Sequence, residues 1–159
     1  MERKEHIISL LVKNEPDVLA RIAGALGGKG YNIESLCVNA TADYRVSKII
    51  LTTRGNAATL NRIEKLLNKQ IDVIQVDVVN LDGFVQKELT LAKIKISEEF
   101  RSKLAVDIDS HKWKVVWLDG DYLILEITAD NEEMDQILAH LSQLGMVDYT
   151  RTGTIVIGR

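Results

Sequence analysis

The sequence holds one cysteine, Cys37, and one proline, Pro16. A single thiol excludes an intrachain disulfide and fits a reducing compartment. Aromatic residues make up only 5% of the 159, too few for the stacking platforms of a single-stranded nucleic-acid binder. There is no basic excess either. The formal net charge of −3 removes the electrostatic footprint that nucleic acids require. No apolar run approaches the length of a membrane span. The opening residues Met1-Glu2-Arg3-Lys4-Glu5-His6 are charged and lead straight into an apolar segment, unlike a secretory signal. The expected location is the cytoplasm. What the chain does have is apolar residues, 46% of the total, which excludes disorder. Its length allows one mid-sized domain or two small ones.

The hydrophobic period alternates along the chain between strand-like and helix-like values. Ile7 to Val12 reads as a buried strand. Val18, Leu19, Ile22 and Leu26 line one helix face, which Gly27-Gly28-Lys29-Gly30 terminates. Ile33 to Ala40 and Val46 to Thr53 read as strands around a polar turn. Leu60, Ile63 and Leu67 mark a second helix capped by Asn56, and Ile71 to Val79 is a further strand. After the turn Leu81-Asp82-Gly83 the order repeats. Leu89 to Ile96 is a strand, and Phe100, Leu104 and Ile108 form a third helix with Ser97 as its cap. Two strands flank the hairpin turn Asp119-Gly120-Asp121. A fourth helix is capped by Asp130 or Asn131, and Met146 to Ile157 ends the chain as strand. The order β-α-β-β-α-β therefore occurs twice. The expected fold class is α+β, with two ferredoxin-like domains over residues 1–80 and 84–159. Each would be a four-stranded antiparallel sheet with two helices on one face. The other sheet face needs a cover, which favours domain pairing or dimerisation.

Side chains that carry chemistry are sparse. His6, His111 and His140 are dispersed, without carboxylate or thiol at ligand spacing, so no metal is expected. No nucleophile motif is present, and the carboxylate pairs Asp107/Asp109 and Asp119/Asp121 read as solvated. The glycines around Lys29 end a helix, whereas a phosphate loop opens one. No catalytic residues and no cofactor site follow.

The segment Asn14-Glu15-Pro16-Asp17-Val18 is different. It feeds a helix start, where the leading amides have no partner in their own helix. Two readings are open. Asn14 or Glu15 caps the helix and Pro16 opens it, or the loop receives the carboxylate of a free amino acid.

Together with Gly30-Tyr31-Asn32-Ile33-Glu34-Ser35-Leu36, Leu67-Asn68-Lys69-Gln70-Ile71-Asp72-Val73, Lys87-Glu88-Leu89-Thr90-Leu91-Ala92-Lys93 and Arg151-Thr152-Gly153, this segment resembles the small regulatory subunits of acetohydroxyacid synthase (acetolactate synthase). The N-terminal half resembles their ACT domain. The resemblance implies a non-catalytic subunit that activates a thiamine-diphosphate-dependent catalytic subunit in branched-chain amino-acid biosynthesis. That partner would hold all cofactors: thiamine diphosphate, Mg and FAD. It further implies a homodimer through paired ACT domains, with valine at the interface. The matching effector-binding residues are Asn14, Asp17 and Val18, with Asn32 and Ile33 supplied by the facing subunit. An alternative is a free-standing ACT-type amino-acid sensor without an enzyme partner.

Three positions depart from the family pattern. Asp17 stands where the family has glycine. Ser110-His111-Lys112-Trp113 replaces a Phe-Arg segment after a shorter third helix, and the chain stops soon after Gly153. Asp17 matters most, because its carboxylate would face the ligand's own and weaken valine feedback.

Overall fold

The computed structural model describes residues 4–159, so Met1-Glu2-Arg3 of the charged start lies outside the described residues. In chain order the elements are β1 (Lys4–Lys13), α1 (Val18–Gly27), β2 (Ser35–Ala40), β3 (Val46–Gly55), α2 (Ala57–Asn68), β4 (Val73–Val78), a single 3₁₀ turn, β5 (Phe84–Lys95), α3 (Arg101–His111), β6 (Lys114–Asp119), β7 (Tyr122–Ala129), α4 (Asn131–Ser142), β8 (Met146–Arg151) and β9 (Ile155–Gly158). They form two compact units. One comprises the chain up to Gln86 together with Thr154–Arg159, and the other is Lys87–Gly153.

The first unit is an antiparallel sheet in the order β2-β3-β1-β4. Alternation along the strands splits its residues between two faces. Ile8, Leu10 and Val12 of β1 and Ile49 and Leu51 of β3 face one way. They pack with Val18, Ile22 and Leu26 of α1 and Ile63 and Leu67 of α2. Burying such side chains stabilises by roughly 1.5–3 kcal/mol each. Ile7 and Ile50 face the other way, and the chain's own last strand covers them. Val156 of β9 packs on both, with Phe84, Cys37 and Val79 around it. The β9 strand pairs with β5, and the Arg159 N–H donates to the Gly83 carbonyl at 2.9 Å.

The second unit repeats the order as β6-β7-β5-β8. Ala92, Ile94, Leu123, Leu125 and Ile127 of the sheet pack against Leu104 of α3 and Met134, Leu138 and Leu141 of α4. The turn into β8 needs a glycine. Gly145 has φ +94, and a Cβ there would lie 2.6 Å from the Lys95 carbonyl oxygen. The expected α+β architecture is thus present twice.

Asn56 and Asp130 cap α2 and α4 as expected, each accepting from an amide three residues on. Several boundaries differ from the sequence reading: β2 and β4 begin two residues later, β5 begins at Phe84 rather than Leu89, and three further differences have a local cause. Helix α1 starts at Val18 rather than at Pro16, because Asp17 is left-handed (φ 66) and interrupts the helical path. Helix α3 starts after Phe100 rather than Ser97. The Ser97 carbonyl instead accepts from the amides of Phe100 and Arg101, a tight turn ahead of the helix. The last strand is split in two, with Gly153 at φ +79 between the halves.

One ionic cluster fastens the second unit. The Arg151 guanidinium, at the end of β8, binds both carboxylate oxygens of Glu88 on β5. It also donates to Asp135 at 2.6 Å and to Asn131 at 2.8 Å, both on α4. Glu88 is 2% exposed, and a carboxylate so buried needs a partner of this kind. In return Glu88, and to a lesser degree Asp135, push the Arg151 pKa above the ordinary guanidinium value against the opposing effect of burial. Arg151→Met is expected to destabilise the chain by about 3 kcal/mol, read by urea unfolding, because it strands a buried carboxylate. Adding Glu88→Leu should recover much of that loss. If Arg151→Met costs no more than a surface substitution, the cluster does not have this role.

Candidate effector site

The loop between β1 and α1 is fastened on two sides. Asn14 donates its backbone N–H to the Arg45 carbonyl and its side-chain Nδ2 to the Tyr44 carbonyl, both at 2.8 Å. These contacts tie the loop to the turn between β2 and β3. That turn is itself organised by Asp43, whose carboxylate accepts from the Arg45 amide and guanidinium at 2.8–3.0 Å. The Arg45 guanidinium holds the Asp43 carboxyl below the usual range, and Asp43 raises the Arg45 pKa in turn. On the other side stands Asp72, 6% exposed. It accepts from Arg21 of α1 through Nε at 2.9 Å and Nη2 at 2.7 Å. Lys13 lies 3.8 Å away and also donates its amide to the Asp72 carbonyl.

Between these anchors the helix begins. Asp17 is its N-cap in position but not in chemistry. Its backbone is left-handed, and its side chain makes no capping hydrogen bond. The left-handed conformation costs a residue with a Cβ roughly 1–2 kcal/mol, which glycine escapes. The leading amides of α1 therefore have no cap from this side chain, while the Asp17 carbonyl accepts from the Arg21 amide at 2.9 Å. Val18 buries its side chain in the core and has only its backbone to offer. Neither Asn14 nor Glu15 caps the helix as the simpler reading had it.

Asn32 and Ile33 lie elsewhere. The Asn32 carbonyl accepts from Thr53 Oγ1 at 2.7 Å, and its Nδ2 donates to Glu34. Ile33 packs partly against the first unit's core. Thr53 is near one end of β3 and Arg45 adjoins the other. At about 3.3 Å per residue the two places are roughly 25 Å apart. Within one chain the structure brings Asn14, Asp17 and Val18 together and leaves Asn32 and Ile33 at the far end of the sheet.

The histidines have structural partners: His6 with the Gly55 carbonyl, His111 stacked on Trp113, and His140 with Asp107. Among the described residues no group of three or more His, Cys, Asp or Glu is placed to hold a metal ion. No described helix is long and apolar enough to cross a membrane. Sequence reading missed Asp72, Tyr44 and Arg45. The signal for Asp72 was present, a carboxylate inside the apolar alternation of Ile71 to Val79. Tyr44 and Arg45 contribute through carbonyl oxygens, which no side-chain pattern reveals.

A family model described as the AHAS small subunit-like ACT domain matches residues 8–75, and one for the small subunit of acetolactate synthase matches residues 87–159. The chain belongs to the acetolactate synthase small-subunit family. That membership makes it a regulatory subunit rather than the catalytic one. It is 34% identical over its whole length to a probable acetolactate synthase small subunit of Methanothermobacter thermautotrophicus, covering 95% of that protein. Over 98% of its length it is 31% identical to the Aquifex aeolicus acetolactate synthase small subunit, covering 82% of that chain. The crystal structure of the Thermotoga maritima small subunit superposes with a TM-score of 0.87 at 25% identity, over 98% of both chains. The N-terminal unit is thus an ACT domain of the small-subunit type, and the Asn14–Val18 loop belongs to it.

Arg21→Met is expected to lower stability by about 1–3 kcal/mol, because it removes two hydrogen bonds from a nearly buried carboxylate. Asp43→Ala, on an exposed turn, is expected to leave it unchanged. Urea unfolding of both variants checks the contrast, and equal effects would mean that Asp72 does not anchor the loop.

Proposed function

We propose that this chain binds and activates the thiamine-diphosphate-dependent catalytic subunit of acetolactate synthase, and that its own response to valine is weak. Family membership supports the first part. All cofactors belong to the catalytic partner in this reading, and the complex works in the cytoplasm. The second part is carried by the position of Asp17. A ligand carboxylate seated on the leading amides of α1 would approach the Asp17 carboxylate. Like charges about 4 Å apart repel by about 4 kcal/mol at an effective dielectric of 20, less where solvent screens them. Attraction between one carboxylate and the helix start is worth roughly 0.3–1 kcal/mol at an exposed site. The repulsion is the larger effect.

The effector site is completed across a homodimer of ACT domains. Asn32 and Ile33 lie about 25 Å from Asn14 along the sheet of one chain. A second copy is what carries them to the loop. Strand β2 is at the sheet edge, which leaves that side open to a partner.

The deciding experiment is a valine titration of the cognate catalytic subunit with this chain and with Asp17→Gly. Activation by both chains is expected. Inhibition by valine is expected at concentrations at least tenfold lower for Asp17→Gly. Strong inhibition of the native chain would overturn the role given to Asp17. No activation by either chain would favour a free-standing amino-acid sensor. Asp17→Gly should also leave stability unchanged or raise it by up to about 1 kcal/mol, since relief of the left-handed strain is offset by greater chain entropy in the unfolded state.

A further inference from the structure

Strand β6 reads Lys114-Val115-Val116-Trp117-Leu118-Asp119, and all six residues are exposed. Among the described residues it is an edge strand, hydrogen-bonded to β7 alone on the path β6-β7-β5-β8. An apolar edge of this kind invites another strand, and sheets commonly blunt it with proline or a charge in mid-strand. The opposite edge does so, since β8 carries Asp148 within it. The β6 strand has charges only at its two ends, of opposite sign.

Those ends are matched by a bulge. Lys114 and Asp119 are five positions apart, which in a regular strand would set them on opposite faces. The β6–β7 register shifts between Val115 and Trp117, and the extra residue, Val116, restores a common face. Lys114 pairs with Glu126 and Asp119 with Tyr122, both on the sheet face away from the helices, whereas Val115 and Leu118 sit opposite the core residues Leu125 and Leu123. If β6 is laid antiparallel on a second β6, Lys114 meets Asp119, Val115 meets Leu118 and Val116 meets Trp117. Each charged pair and each Val115–Leu118 pair then shares a face.

We propose that β6 is a homotypic association edge, at which two copies of this chain join their C-terminal sheets antiparallel in that register. The occupant is a second copy because the charge pattern is complementary to its own reversal. Opposite charges placed directly across an antiparallel pair attract, and like charges there repel. The two-fold axis doubles each effect. This contact is separate from the ACT-domain pairing, and it does not depend on any effector.

Sedimentation equilibrium of the full chain tests it, comparing the native sequence with Lys114→Asp, Asp119→Lys and the double variant carrying both. The native chain is expected to show an association step that each single reversal weakens about tenfold or more. The double variant should regain it, because the pairs then attract with exchanged signs. Circular dichroism and thermal unfolding establish that the variants are folded, which matters because Lys114→Asp also removes the 3.9 Å contact with Glu126. Trp117→Lys, at the centre of the edge, should abolish the same step. Four indistinguishable mass profiles would overturn the proposal, as would a double variant no better than the singles. Unchanged masses with lost activation of the catalytic subunit would also overturn it, and would assign the edge to that subunit instead.

Discussion

A βαββαβ sheet has two faces and only two helices, so one face is always left for another cover or for water. Much of this molecule follows from that shortage. Alternating strands cannot avoid placing residues such as Ile7 and Ile50 on the side the helices do not reach. The first unit solves the problem with its own chain. Val156 and Phe84 lie on Ile7 and Ile50, and the strand bearing Val156 is carried back by the left-handed glycine at 153. In the second unit the same face is more polar. Lys93 sits over the Tyr122 ring at 5.0 Å, and Lys114 reaches Glu126.

The element order was legible in the sequence because each core stripe repeats with a clean period, as in Val18-Ile22-Leu26 or Leu123-Leu125-Ile127. The caps Asn56 and Asp130 were legible for the same local reason. What was not legible depends on contacts between distant residues. Lys87-Glu88 and Arg151-Thr152 looked like two separate motifs, yet they are neighbours, with Arg151 on Glu88 and the Thr152 amide on the Leu89 carbonyl at 3.0 Å. Nothing in the local sequence of either announces the other. The start of α3 was misplaced because Ser97 is an excellent cap by type, but residues 98–100 form a turn and the helix begins only after Phe100.

The candidate effector site divides along the same line. Its near half is contiguous in sequence and was read directly as the Asn14–Val18 loop. Asp17 stands in the left-handed region, so the absence of glycine there has a backbone cost. The supports of the loop come from residues 44, 45 and 72, which approach only once the sheet has formed. The loop is held at Asp72 by two cations, one from β1 and one from α1.

The return of β9 has a consequence for the order in which the molecule can be made. Residues 87–153 are inserted, in sequence terms, between two pieces of the first unit. On a ribosome the N-terminal sheet emerges early, with its helices and most of its core already available. Its second face lacks this cover until residues 154–159 have been made and emerge. The inserted unit has no such wait, because its sheet and both helices are complete by Gly153. The piece of the first unit that lies after the inserted unit is therefore made after it, and Ile7 and Ile50 have no cover from Val156 until it arrives.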